Sequence, residues 1–336
     1  MNSIFQRIAT ELNIQNQQVS AAVGLLDEGA TVPFISRYRK EVTGGLDDTQ
    51  MRNLEDRLRY LRELEERRAA ILKSIADQDK LSPELEVAIK AADAKNTLED
   101  LYLPYKQKRR TKAMIAREAG LAPLAESLLA DPGLTPEKEA DAFINAELKI
   151  ADTKAALDGA KQILMEQFSE DAALLGKLRD FLINEAQVSA RLIDGKENEA
   201  AKFRDYFEYD EALNKIPPHR ALAIFRGRNE GFLSLSLTVG DASDRSVSHP
   251  CEGMIASHWQ IRQEDRPADK WLAETVRWTW RIKLLTHLQT ELLGQLRERA
   301  EQEAIAVFAS NLKDLLLASP AGAKATIGLD PGLRTG

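Results

Sequence analysis

Between Pro267 and Pro320 the chain carries no proline, and the stretch from Lys270 to Ala318 is dominated by Leu, Ala, Glu and Arg, with only Gly294 to weaken it. These are strong helix formers. At about 1.5 Å per residue, one uninterrupted helix here would be roughly 70 Å long, beyond the span of a compact small domain. The segment is therefore either broken near Gly294 or a strut that joins parts of a larger protein. A chain organised around such a segment is expected to be mainly α.

The first part of the chain, to about residue 120, reads as helix after helix. Ile4, Ile8 and Leu12 share one helical face, as do Val19, Val23 and Leu26. After the segment from Gly29 to Lys40 and a Gly44-Gly45 break, Asp47 followed three residues later by Gln50 has the spacing of a capping box. From Glu55 to Arg68 ten of fourteen residues are charged, five of each sign, with Leu54, Leu58 and Leu61 as the apolar stripe. That pattern describes a solvated helix laced with ion pairs. Ser82-Pro83-Glu84 and Thr135-Pro136-Glu137 both read as a cap followed by proline in the first helical turn. Ala113 to Ala119 ends at Gly120 and restarts after Pro123. Leu157 to Phe168 and Asp171 to Asn184 are two further helices across a short junction, which points to a helix-turn-helix-like unit within 121–200.

One clear strand signal follows. Ala221 to Phe225 is a short apolar run, Gly227 to Gly231 a turn, and Leu233, Leu235, Leu237 and Val239 alternate with small polar residues. The expectation is a single β-hairpin with one wet face.

Lys plus Arg number 46 against 53 Asp plus Glu, a formal charge of −7. That is the wrong sign for a simple polyanion binder, so any contact with nucleic acid has to be a local patch. A single cysteine, Cys251, excludes an internal disulfide and a cysteine-based metal cluster. His249-Pro250-Cys251 reads as a loop without the paired spacing of a zinc site. The opening residues lack an apolar signal core and no eighteen-residue apolar run occurs, so a cytoplasmic protein without membrane contact is expected. No nucleophile elbow, Walker loop or dinucleotide fingerprint is present. Neither an enzyme nor a resident metal or cofactor is expected.

The densest cationic run is Lys106, Lys108, Arg109, Arg110 and Lys112, five basic residues in seven, with no acid between Leu101 and Arg117. Such side chains neutralise phosphates, and an exposed Tyr102 or Tyr105 could stack on an unpaired base. The competing reading is an ordinary solvated loop with both tyrosines in the core. Arg37, Arg39 and Lys40, around Tyr38, form a shorter second candidate. Near the end of the sequence, Thr326 to Gly336 reads as a buried strand closing on Asp330 and a glycine-rich turn. A carboxylate at such a strand end can hold a divalent cation in a phosphoryl-transfer nuclease, and it can equally be a plain Asp-Pro-Gly turn. A strand without sheet neighbours is unstable, so the chain is expected to be the front part of a longer protein.

Two long segments, Gly29 to Leu46 and Leu98 to Lys112, closely resemble the signatures of the bacterial Tex family of transcription accessory proteins. The resemblance continues through Phe225 to Gly231, Trp278 to Arg281 and Gly328 to Gly332, and so covers essentially the whole chain. It implies a helical scaffold with a helix-turn-helix-like insert, followed by a YqgF-type RNase H-like domain of which only the first strand is present. The implied divisions are 1–120, helical scaffold; 121–200, helix-turn-helix-like; 201–325, scaffold with β-hairpin and long helix; and 326–336, start of the RNase H-like domain. The implied function is a nucleic-acid-binding transcription factor, with RNA or DNA and the transcription machinery, RNA polymerase among it, as partners. Two alternatives stay open. One is a metal-dependent RNase H- or RuvC-like nuclease with Asp330 as first metal ligand, and the other is a protein-interaction platform.

Overall fold

The computed structural model describes residues 2–240, 249–320 and 322–328. Among them are fifteen α-helices and three short strands, so the fold is mainly α. The chain divides into two compact units, Met1–Gly120 with Glu166–Gly176, and Leu121–Met165 with Lys177–Gly336.

The first unit contains α1 (Asn2–Leu12), α2 (Asn16–Asp27), α3 (Val32–Tyr38), α4 (Asp48–Ala76), α5 (Pro83–Ala91), α6 (Lys95–Tyr102) and α7 (Lys112–Glu118). The 29-residue α4 is its spine, with α1, α2, α3, α5 and α6 packed against it. Its start is the expected capping box: Asp47 accepts from the Gln50 backbone N–H at 2.8 Å, and the Gln50 side chain accepts from the Asp47 N–H at 3.0 Å. Leu54, Leu58, Leu61, Leu64, Ile71 and Ile75 are buried along one stripe. On the outer face, Arg57, Arg62 and Arg67 reach Glu11, Asp27 and Glu99 on neighbouring segments. Such exposed pairs contribute at most about 1 kcal/mol each. The apolar stripe therefore holds the spine and the ion pairs dress it.

The second unit begins with α8 (Ala122–Ala130), which starts one residue before Pro123 rather than after it, and α9 (Pro136–Asp141). Proline is tolerated there because first-turn N–H groups have no partner within the helix. Helices α10 (Thr153–Ser169) and α11 (Ala172–Glu185) pass through the division between the units. Then come β1 (Gln187–Leu192), β2 (Glu208–Ala212), α12 (Pro218–Asn229) and β3 (Leu233–Thr238).

Here the structure corrects the expected hairpin. Ala221 to Phe225 lies inside α12, and β3 pairs with β1 in an antiparallel sheet ordered β2-β1-β3. Ala221, Ile224 and Phe225 are buried at the three-to-four spacing of a helix, which a five-residue apolar run does not distinguish from a strand. Gly227 keeps α12 close to β3: a Cβ there would lie 2.5 Å from the Leu233 side chain. The edge strand β2 carries Glu208, Asp210 and Glu211, charges that discourage further pairing along the edge.

The remaining helices are α13 (Pro250–His258), α14 (Asp269–Trp278) and α15 (Leu285–Leu316), the last two joined by a π-helical turn over Thr279–Leu284. The proline-free stretch is thus helical throughout and passes through Gly294 unbroken; its irregularity lies earlier. The buried Thr275 and Thr279 donate their hydroxyls to the carbonyls of Trp271 and Thr275 at 2.8 Å each, local back-bonding that accompanies the widened turn. Helix α15, about 48 Å long, buries Leu288, Leu292, Leu293 and Leu296 along its first half. From residue 301 it is almost wholly exposed. No helix among the described residues is long and apolar enough to cross a membrane.

Candidate nucleic-acid interface

The run from Lys106 to Lys112 leaves α6 through a 3₁₀ turn, Leu103–Tyr105, with the Lys106 N–H bonded to the Tyr102 carbonyl at 3.0 Å. Both neighbouring tyrosines turn inward. The Tyr102 hydroxyl pairs with Ser74 Oγ at 3.0 Å under the Arg67 guanidinium, and Tyr105 packs against the helical core while its carbonyl accepts from Gln78 at 3.0 Å. Both rings are half-buried against the core rather than exposed.

The five cations of this run then divide. Lys108 is ion-paired with Glu170 and Arg110 with Glu118. Thr111 caps α7 by accepting from the Met114 N–H at 3.0 Å and donates to Glu166 Oε1 at 2.9 Å, while Arg117 ion-pairs with the other oxygen of Glu166. Burial alone would raise the pKa of Glu166, but the hydrogen bonds from Arg117 and Thr111 outweigh it and hold the carboxyl below its ordinary range. Lys106, Arg109 and Lys112 are exposed and form no ion pair among the described residues. The carboxylates at 166 and 170, remote in sequence, take up charge that the local sequence leaves uncompensated.

The second basic segment is built differently. Pro33 occupies the first turn of α3, where its fixed φ suits a helix. Val32 and Ile35 face inward and are buried, which turns Phe34, Arg37 and Tyr38 outward. The chain beyond is fastened at several points. Gly45 N–H donates to the Lys40 carbonyl at 2.8 Å, Gln18 Nε2 donates to the Gly44 carbonyl at 2.8 Å, and Leu46 is buried. Gly44 and Gly45 adopt φ of +62° and +89°, values glycine tolerates best. Phe34 and Tyr38 are 42% and 66% exposed, with ring centroids 5.5 Å apart. The Arg39 guanidinium lies 5.9 Å from the Phe34 centroid. Arg37, Arg39 and Lys40 are exposed and make no ion pair among the described residues.

The structure therefore puts exposed aromatics beside the shorter run, while Tyr102 and Tyr105 of the longer one follow the alternative in which both pack against the core. Reading 32–38 as a helix reveals the reason, because positions 34 and 38 fall on one outward face once 32 and 35 are assigned inward.

Other candidate chemistry resolves as follows. Asp330 lies outside the described residues. Thr326, Ile327 and Gly328 are not in a strand, and Ile327 is 85% exposed, so the start of the expected buried strand is not formed there. His249-Pro250-Cys251 is the cap and first turn of α13 rather than a loop. His249 Nδ1 accepts from the Cys251 N–H at 3.2 Å, and its ring stacks on Trp280 with centroids 4.7 Å apart. Burial lowers the His249 pKa and pushes the Cys251 thiol up to about 12, the opposite of an activated thiolate. No group of three or more His, Cys, Asp or Glu among the described residues could hold a metal ion. On the solvent side of α11, Lys177 is accompanied by Asp180 and Glu185, and this face is not basic.

Taken together, these features define a mainly α protein with two basic surface segments on its first unit. Residues 2–76 match the Tex-like protein N-terminal domain and residues 131–308 match the Tex central region-like model. The chain belongs to the Tex family. It is 61% identical to Protein YhgF of Escherichia coli, over 100% of this chain and 44% of that protein. It is 54% identical to the Transcriptional accessory protein Tex of Neisseria gonorrhoeae, over 99% of this chain and 44% of that one. A human relative, S1 RNA-binding domain-containing protein 1, is 28% identical over 98% of this chain and 34% of its own length. The chain thus spans less than half the length of the relatives it matches.

Proposed function

We propose that this chain is the helical scaffold of a nucleic-acid-binding transcription accessory factor of the cytoplasm, acting without catalysis of its own. The observation that carries this reading is the set of exposed cations without ion-pair partners among the described residues in two segments of the first unit, Arg37, Arg39 and Lys40 together with Lys106, Arg109 and Lys112. In a chain of net charge −7, local patches of this kind are what an encounter with phosphate requires. The names of the relatives, a transcriptional accessory protein and an S1 RNA-binding domain protein, agree with it. On this reading 1–120 and 201–325 form the scaffold and 121–200 a helix-turn-helix-like insert, whose α11 plays a structural part because its solvent face lacks basic character.

The test is a binding titration of the 336-residue chain with RNA and DNA over a salt series. Replacing Lys106, Arg109 and Lys112 by Gln should weaken binding and reduce the salt slope by about 2 if all three sit on single-strand phosphates. Unchanged affinity and slope would remove that segment from the interface.

One observation favours the interaction-platform reading alongside it. Ile305, Phe308, Leu312 and Leu315 are exposed on α15 at three- and four-residue spacing, an unpartnered apolar stripe. Capture of transcription proteins from lysate after nuclease treatment, lost on Phe308→Glu, would support direct protein contact. The nuclease reading makes its own demand: Mg²⁺-dependent cleavage that Asp330→Asn abolishes.

A further inference from the structure

We propose that Phe34 and Tyr38 form a stacking site for an unpaired base of a single-stranded nucleic acid, with Arg37, Arg39 and Lys40 neutralising the phosphates on either side. The inference rests on the nucleic-acid reading above and adds strandedness to it. Large aromatic rings normally bury most of their area, so two of them standing exposed in contact on one helix face are out of place on a structural surface. Charge decides which occupant suits them. Arg39 lies over the Phe34 ring, and Arg37 and Lys40 are exposed in the same short segment, all three without an ion pair among the described residues, a setting that favours a polyanion over an apolar or basic protein surface.

The two rings have different parts. Phe34 already has the Arg39 guanidinium 5.9 Å from its centroid and is the less exposed of the pair. Tyr38 is the more open ring, backed by Phe34 at 5.5 Å. Tyr38 therefore receives the base, while Phe34 and Arg39 fix the platform beneath it. A duplex keeps the faces of its bases stacked on one another and can offer only phosphate to this segment, whereas a single strand offers both. Pro33 in the first turn and the Gly44-Gly45 closure, held by Gln18, keep the segment ordered before binding, which lowers the entropy lost on contact.

The experiment titrates fluorescently labelled 12-nucleotide single strands, RNA and DNA, the matching duplexes, and an abasic strand of the same length onto the 336-residue chain. Tyr38→Ala is expected to weaken single-strand binding about tenfold, Tyr38→Phe to keep it within about twofold, and duplex binding to stay within about twofold in both. Against the abasic strand, Tyr38→Ala and the unsubstituted chain should bind alike. Single-strand binding that is intact and indifferent to Tyr38→Ala overturns the stacking site while leaving the phosphate-contact reading in place. Failure of the unsubstituted chain to bind any of these probes at low salt overturns that reading, and this inference with it.

Discussion

The two basic segments of the first unit reverse their order of promise between sequence and structure. Lys106 to Lys112 is denser in cations, yet Lys108 and Arg110 are held by Glu170 and Glu118, and both nearby tyrosines pack inward. Arg37 to Lys40 is shorter, but its three cations make no ion pair among the described residues and two aromatic rings stand open beside them. The density of charge along a sequence is thus a poor measure of the charge a surface presents. What matters is which remote carboxylates the fold delivers. Glu170 lies 62 residues from Lys108, and no local pattern announces it.

The largest expected difference between the segments is in stability. Glu166 is buried, and its two oxygens serve Thr111 and Arg117. Glu166→Ala should destabilise the chain by about 2 kcal/mol, because half-buried Thr111 and partly exposed Arg117 both lose a charged acceptor. A chemical denaturation midpoint reads this directly. By contrast, Arg37→Gln, Arg39→Gln and Lys40→Gln each remove an exposed side chain without an ion pair and should change stability by less than about 0.5 kcal/mol. A large loss from the latter set would show that the segment is structural and end its claim to be an interface.

Next in size is the effect on affinity. The triple change Arg37→Gln, Arg39→Gln, Lys40→Gln should lower single-strand affinity about tenfold at moderate salt and reduce the salt slope by about 2, at roughly 0.7 per phosphate released. The double change Lys108→Gln, Arg110→Gln removes as dense a pair of charges but should move affinity by less than about twofold, because those cations are already neutralised. Its effect falls on stability, at most about 1 kcal/mol from the exposed Arg110–Glu118 pair and more from the half-buried Lys108–Glu170 pair. Equal losses from the two sets would erase the distinction between them.

Much of the fold is legible from local pattern. The α4 capping box, the Ser82-Pro83 start of α5 and the leucine stripe of α4 each depend on residues within a turn or two of one another. The failures share the opposite property. Strand β2 carries mostly acidic residues and exists because β1 pairs with it, and β1 is a strand because it lies between two others. Ala221 to Phe225, which its apolar run alone reads as a strand, is helical, and Gly227 lets that helix approach Leu233 of β3. The π turn at Thr279 to Leu284 accompanies two buried threonines whose hydroxyls point back into the helix, and threonine alone does not foretell that. In the candidate site the same rule holds. The cations are visible in the sequence, while the carboxylates that neutralise some of them arrive from α7, α10 and the α10–α11 junction.

The smallest expected effect is a pH dependence that separates the segments by mechanism. Burial tends to raise the pKa of Glu166, but hydrogen bonds from Arg117 and Thr111 hold it below the ordinary value of 4.5. A carboxyl depressed in this way binds fewer protons folded than unfolded. Its contribution is therefore complete above the ordinary value and drains away as pH falls through the lower folded one. Glu166→Gln removes that titration, so its stability profile should fall less steeply in acid than that of the unsubstituted chain. Some acid sensitivity remains, because Glu11 and Glu99 are also held low, chiefly by hydrogen bonds from Arg57 and Arg67. Arg37→Gln touches no paired carboxylate and should give a profile parallel to the unsubstituted one at every pH. Stability measured by denaturant titration at several pH values below about 5 would expose a shared slope for all three chains, and that outcome would mean Glu166 does not anchor the longer segment.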